Sequence, residues 1–254
     1  MFYRNSAVEY LFAGNHLEFS DMKLLLWNVE WAPSSRIREY VRGMLRAESP
    51  DIFCLTESTD FFASDYANVI ASTGDYGYAN DGDRRKVWLV SRHEWTSIEH
   101  GEGCNLPPGR FVSGITQGIR FVGVCVPWFD ANVFSGNKNR ERWEDHVAYL
   151  SALGPMLARY AECDIPVCIL GDFNQRIPAT SWNAAYIQHL HAALGDAYAI
   201  HTAGTTDVDG EQLIDHVATT RTFRFSLDRT VGRDADAGKR VSDHPALIGR
   251  LDGA

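Results

Sequence analysis

The stretch Val167-Cys168-Ile169-Leu170-Gly171-Asp172-Phe173-Asn174 constrains this chain more than any other. Val167 to Leu170 is an apolar, partly β-branched run that suits a strand covered on both faces. Gly171 permits a sharp turn or a close backbone approach. Asp172 and Asn174 stand two apart, so an extended chain aims both at one side. A carboxylate and an amide at the lip of a buried strand are costly unless they are used or well paired. The fold must therefore be layered around buried strands, and other polar strand ends should meet this one.

Such ends are present. Lys23 to Val29 (KLLLWNV) reads as a buried strand with Asn28 and Glu30 at its end. Pro33-Ser34-Ser35 offers an N-cap, and Ile37, Val41, Met44 and Leu45 follow at helical spacing. That helix should stop before Pro50. Asp51 to Leu55 is the next strand, with Glu57 just beyond it. The echo between strand-Asn28-x-Glu30 and strand-Asp172-x-Asn174 suggests an internally duplicated fold.

The remaining chain alternates strands and helices. A short helix is expected over 61–69, a loop over 72–85, and strands over 86–91 and 95–100. Phe111 to Thr116 and Ile119 to Val126 read as a hairpin around Gln117-Gly118. A polar loop from Phe129 to Arg142 leads to a helix that starts near Trp143 and kinks at Gly154-Pro155. A second helix is expected over 181–194 with Gly195 as its stop. Gln212 to Thr219 is a strand carrying Asp215 and His216, and 221–228 is another. Arg233 to Arg240 reads as a charged loop. Ser242-Asp243-His244-Pro245 then leads into a last strand, 246–251. Residues 1–21 form an N-terminal extension or an edge element, and 22–254 a single domain. Strands interleaved with few helices, hairpins included, indicate a mixed layered sandwich.

With 254 residues the chain can bury a substantial core. Its net charge of −9 argues against tight nonspecific nucleic-acid binding through a basic face. A phosphate substrate stays open, because a divalent metal supplies local positive charge. No apolar run is long enough to span a bilayer, and Met1 to Ser20 lacks the basic start and apolar block of a signal peptide. The five cysteines show no metal-ligand spacing. A cytoplasmic location fits best. No membrane contact and no obligate protein partner are expected.

Collected in order, the strand-end polar residues are Asn28, Glu30, Glu57, Asp172, Asn174, Asp215, Asp243 and His244. Hard oxygen ligands of this kind suit Mg²⁺ or Mn²⁺. One histidine among carboxylates suits phosphate-ester hydrolysis. The ordered set resembles the endonuclease/exonuclease/phosphatase superfamily, which includes exonuclease III-like and deoxyribonuclease I-like nucleases. The resemblance rests on Trp27-Asn28-Val29-Glu30, Pro50 to Glu57, Gly171-Asp172-Phe173-Asn174, Ile214-Asp215-His216-Val217 and Ser242-Asp243-His244.

The resemblance implies an α/β (α+β) four-layer sandwich: two mixed β-sheets packed face to face, helices outside, and an active site at one end. It also implies that Glu57 binds the metal, assisted by Asn28, Glu30 and Asp243. Asp172 would orient or deprotonate the attacking water, and Asn174 would hold the scissile phosphate. Asp215 would pair with His244, which would contact a phosphate oxygen. The chain departs from the family at Cys125, where many members place a tyrosine or histidine. Substrate-contact candidates are Trp128 as a stacking ring and Asn137, Lys138, Arg140 and Arg142 as phosphate contacts. Trp27 and His216 read as core by strand alternation, and Arg110 as a surface charge.

The expected activity is divalent-metal-dependent hydrolysis of phosphodiesters such as DNA or RNA, with a nuclease leading. A small-phosphoester phosphodiesterase or phosphatase is the alternative. A non-catalytic binding module that kept the fold is a further one.

Overall fold

A computed structural model describes residues 21–78, 82–133, 139–235 and 238–253. Residues 1–20 of the expected extension lie outside the described residues. The strands are β1 (Met22–Asn28), β2 (Ile52–Ser58), β3 (Asn68–Ala71), β4 (Arg85–Ser91), β5 (Thr96–Glu99), β6 (Phe111–Thr116) and β7 (Ile119–Cys125). They continue with β8 (Val167–Asp172), β9 (Tyr198–Ile200), β10 (Asp215–Thr220), β11 (Phe223–Val231), β12 (Asp234–Ala235), β13 (Lys239–Arg240) and β14 (Ala246–Gly253). The helices are α1 (Ser35–Glu48), α2 (Glu144–Ala161) and α3 (Ile187–Leu194).

Two six-stranded mixed sheets carry the fold, in the orders β11-β14-β1-β2-β4-β3 and β5-β6-β7-β8-β10-β9. Strand alternation sorts the core into layers. Leu24, Leu26, Ile52, Cys54, Cys168 and Leu170 fill the space between the sheets. Leu25, Trp27, Phe53 and Leu55 pack under Ile37, Val41 and Leu45 of α1. Val167 and Ile169 pack under Leu153, Leu157 and Leu190 of α2 and α3. The four-layer sandwich is the one expected from the sequence. The Ser34 cap is formed as well, with its Oγ accepting from Ile37 N at 3.3 Å.

The two sheets are built alike. Each has one parallel pair, β1–β2 or β7–β8, bridged by a helix, α1 or α2. Asn28 lies opposite Thr56 in one pair, and Cys125 opposite Asp172 in the other. Val29 N donates to Thr56 O at 3.0 Å just as Val126 N donates to Asp172 O at 2.8 Å. The duplication is thus present but differently registered from the sequence echo. Asp172 corresponds to Thr56, and Asn28 to Cys125.

Other expectations are corrected. The helix over 61–69 reduces to a single 3₁₀ turn, Ala63–Asp65. Asn68–Ala71 instead pairs antiparallel with β4, and edge pairing overrides helical spacing. The helix over 181–194 begins only at Ile187. Ahead of it, Asn183 is buried and ties its amide to Gln175 and to Arg176 O, which holds that segment in turns. α2, by contrast, continues through Gly154-Pro155 to Ala161, as expected. The short strand β9 and the small hairpin β12–β13 were not apparent from pattern.

Gly171 shows why the organising strand needs glycine. Its φ is 149°, and a Cβ there would meet Val124 O at 1.9 Å. The parallel strand β7 runs too close for any side chain.

Candidate active site

Strand ends converge at one end of the sandwich. Asn28 closes β1, Glu57 lies near the end of β2, Asp172 closes β8, Asp215 opens β10 and His244 precedes β14. Together with Trp31, Lys86, Arg110, Trp128, Asn174 and Asp243, all of these except Asp215 line a cleft of about 590 Å³. At its edge the Tyr78 hydroxyl accepts from Asn132 N at 2.8 Å, joining the loop after β3 to the loop after β7.

Asp172 is 2 % exposed and held by two amides. Its Oδ2 accepts from Asn28 Nδ2 at 3.2 Å and from Asn174 Nδ2 at 2.9 Å. Its Oδ1 accepts from Asn174 N at 2.9 Å. Burial pushes this carboxyl up to about 7; Asp215 and Glu57 add to the shift, and His244 opposes it. The Asn174 amide also donates to Val126 O at 2.9 Å, so it orients Asp172 rather than standing free for a phosphate.

His244 Nδ1 donates to Asp215 Oδ2 at 2.5 Å, and Asp215 is fully buried. Burial alone would lower the imidazole pKa. The Asp215 charge and hydrogen bond reverse this and, with Asp172 and Asp243, raise it to about 10. The ring is therefore a cation held in a fixed orientation. The loop carrying it is pinned to β1: Ser242 Oγ donates to Asn28 O at 2.6 Å, and Trp27 Nε1 donates to His244 O at 3.1 Å. Trp27 is core, as alternation predicts, and its one polar atom serves the site.

Sequence reasoning missed two cations. Lys86 Nζ donates to Glu57 Oε1 at 2.6 Å. Burial pushes the Glu57 carboxyl up, but Lys86 and then Arg110 and His244 more than offset that and lower it. A lysine two residues before buried Trp88 on one strand face needed a partner, and that was the available signal. Arg110, read as a surface charge, is only 3 % exposed. It donates from Nη1 to Cys125 O at 3.4 Å, and its Nε has no partner among the described residues. The guanidinium thus lines the cleft beside Cys125.

Three sequence candidates lie elsewhere. Glu30 is outside the cleft lining, in a left-handed turn with φ 45°, and its carboxylate faces Arg240 at 3.9 Å. Its place two residues after Asn28 fails to bring it in because the strand ends at Asn28 and the chain turns. Arg140 is committed to Asp145 at 2.9 Å and Glu144 at 3.1 Å, holding the start of α2. Arg142 lies over the Phe129 ring at 4.5 Å, on an outer aromatic rim. Asn137 and Lys138 lie outside the described residues. Trp128 does line the cleft and is 47 % exposed.

His216 is structural, as expected. Its Nε2 donates to Gln175 O and its Nδ1 accepts from Thr202 Oγ1, both at 2.8 Å. His146 Nδ1 donates to Pro127 O at 2.7 Å, and its Nε2 accepts from Gln175 Nε2 at 2.8 Å. Burial lowers both imidazoles to about 4. A depressed histidine contributes stability that is present above the unfolded value near pH 6.5 and lost as pH falls through the folded value. Stability should therefore fall between pH 6.5 and 4, by about 3 kcal/mol per histidine. Asp172, raised to about 7, opposes that fall, because its folded form takes up a proton over the same range. Denaturant unfolding at pH 6.5 and 4 tests this, and the fall should be about 3 kcal/mol smaller in His146→Gln. An equal fall in wild type and variant would refute it.

The cleft's donors suit a hard divalent cation. Lys86 engages Oε1 of Glu57, and a carboxylate keeps a second oxygen for a metal. Asp243 borders the cleft with its carboxylate about half exposed. Asp172, Asp215 and His244 have ligand atoms within 4.8 Å of one another, though His244 Nδ1 and Asp215 Oδ2 are spent on each other. Asp215 Oδ1 is buried with no partner among the described residues. An oxygen-rich set of this kind fits Mg²⁺ or Mn²⁺.

A buried carboxylate, an imidazolium held by aspartate and oxygen ligands at one end of a two-sheet sandwich define a phosphoester hydrolase. The profile described as Endonuclease/Exonuclease/phosphatase family matches residues 25–244. The chain belongs to that family. Among solved structures, the 3'-5' exonuclease NExo of Neisseria meningitidis is similar at 17% identity and TM-score 0.65, over 91% of this chain and 100% of its own. An AP endonuclease of Archaeoglobus fulgidus is similar at 16% identity and TM-score 0.64, over 90% of this chain and 98% of its own. Truncated Caenorhabditis elegans TDP2 is similar at 16% identity and TM-score 0.64, over 94% of this chain and 100% of its own. No curated protein sequence matches the chain. Among the described residues no helix is long and apolar enough to cross a membrane.

Proposed function

We propose that this chain is a divalent-metal-dependent phosphodiesterase, with nucleic acid its leading substrate, and that residues 22–254 act as one catalytic domain. The observation that carries the reading is the buried Asp172 carboxylate, locked by Asn28 and Asn174 in the same cleft as the His244–Asp215 pair. Asp172 takes the proton from the attacking water; its raised pKa suits a general base near neutral pH. Asn174 and Asn28 fix the carboxylate so that it meets the water in one orientation. His244, kept protonated by Asp215, places positive charge against a phosphate oxygen as negative charge develops there. Glu57, with Asn28 and Asp243, would hold Mg²⁺ or Mn²⁺, which supplies Lewis-acid polarisation of the phosphoryl group when bound. Glu30 is left out of this set.

Trp128 is the stacking surface for a base or sugar flanking the scissile phosphate. Nucleic acid is favoured because two relatives of this fold are described with DNA products, a hairpin on the 3' phosphatase NExo and a single strand on Danio rerio TDP2. A second reading, a small phosphodiester, is favoured by the net charge of −9. All five cysteines are unpaired, which supports a reducing compartment such as the cytoplasm.

The test is hydrolysis of bis-p-nitrophenyl phosphate, plasmid, abasic-site duplex, single-stranded DNA and RNA with Mg²⁺, Mn²⁺ or EDTA. Glu57→Gln should abolish metal-dependent cleavage and weaken Mg²⁺ binding by calorimetry at least tenfold, within the 10–100-fold seen for perturbed metal sites. Polymer cleavage that persists in EDTA, or in Glu57→Gln, would refute the metal reading. Cleavage of the small ester alone would select the second reading.

A further inference from the structure

Lys86 sits in a built enclosure. It is 8 % exposed, and its ammonium lies 4.8 Å from the Trp31 ring centre and 5.5 Å from that of Tyr76. Those two rings stack on each other at 5.7 Å. The third wall is Glu57, whose Oε1 accepts from Nζ at 2.6 Å. Cation–π contact holds an ammonium without neutralising it, so Glu57 supplies the charge partner. Glu57 is also the carboxylate that the proposed function gives to the metal, and this inference rests on that reading. A monovalent and a divalent cation on one carboxylate repel each other.

We propose that Lys86 is a positioning residue that couples metal binding to phosphate binding. Without phosphate, Lys86 neutralises Glu57 and lowers its affinity for a divalent cation. A phosphate in the cleft offers anionic oxygens, and the ammonium on its flexible four-carbon stem turns from Oε1 to them. The Trp31 and Tyr76 rings keep the cation inside the cleft during that turn. Glu57 is then given over to the metal. Linkage requires the converse, so the metal raises phosphate affinity by the same factor. A lysine that only tied β2 to β4 would affect stability and leave this coupling untouched.

The experiment is calorimetric titration of Mg²⁺ into the full chain, with and without inorganic phosphate, for wild type, Lys86→Met and Glu57→Gln. Lys86→Met should bind Mg²⁺ about tenfold more tightly than wild type when phosphate is absent. Its phosphate-dependent gain should be about tenfold smaller than the wild-type gain, because only direct metal–phosphate contact survives. Lys86→Gln, which keeps a hydrogen-bond donor without the charge, carries the same expectation should the methionine variant fail to fold. Unchanged or weaker Mg²⁺ affinity in these variants, with the wild-type gain preserved, would overturn the coupling while leaving the metal reading intact. Wild type that binds no Mg²⁺ in either arm, like Glu57→Gln, would overturn both.

Discussion

Asparagine in place of Asp172 is expected to lower turnover by roughly 10²–10⁴-fold, the range a general base contributes, while the fold persists. The reason lies in the two roles of this side chain. Its shape is needed by Asn28 and Asn174, which donate to it, and its charge is needed by the water. Asparagine keeps the shape closely and abolishes the basicity. It also removes a buried negative charge that Asp215 and Glu57 repel. Thermal stability should therefore hold or rise, offset by the one donor–donor clash, with Asn174 N, that an amide nitrogen creates at the position of Oδ1. Turnover of bis-p-nitrophenyl phosphate and of single-stranded DNA, measured beside the melting curve, decides it. Retained turnover would remove Asp172 from the chemistry. Lost turnover together with a collapsed melting transition would make its role structural.

Alanine in place of His244 should behave oppositely, losing activity and stability together. Asp215 is fully buried, and its Oδ2 has His244 as its hydrogen-bond partner. Removing one member of a buried charged pair leaves the other uncompensated, at roughly 3–5 kcal/mol. In a chain of this size that is a fall of about 10 °C in melting temperature. Asp215→Asn combined with His244→Ala should recover much of the stability and none of the turnover, and the double-mutant cycle measures the pair directly. Equal melting temperatures for wild type and His244→Ala would show that Asp215 is solvated or protonated.

Much of this site was legible because its residues stand where a strong pattern stops. Asn28, Glu57, Asp172, Asp215 and His244 each interrupt or abut an apolar strand, and a polar group at a buried strand end has few uses besides chemistry. Glu30 failed this logic because spacing predicts a shared face only while the strand continues. Lys86 and Arg110 failed it in the other direction. Each looks like an ordinary charge at the start of a strand, and only the packing of β4 and β6 beside β2 and β7 turns it inward. The local elements failed where a distant partner decided them. Asn68–Ala71 becomes a strand because β4 offers an edge, and 181–186 stays in turns because Asn183 is drawn down to Gln175. Neither partner is visible in the segment itself.

The equivalence of the two sheets has a consequence for how the protein can be lost or divided. The first sheet contributes Asn28, Glu57, Lys86 and His244, and the second contributes Asp172 and Asp215. Neither sheet carries all of these residues, and β1 of the first sheet pairs with β14, the last strand in sequence. Ligand binding here is therefore an assay of global assembly. A fragment cut between β7 and α2 would keep the parallel pair β1–β2 under α1, yet hold neither Asp172 nor the Asp215–His244 pair.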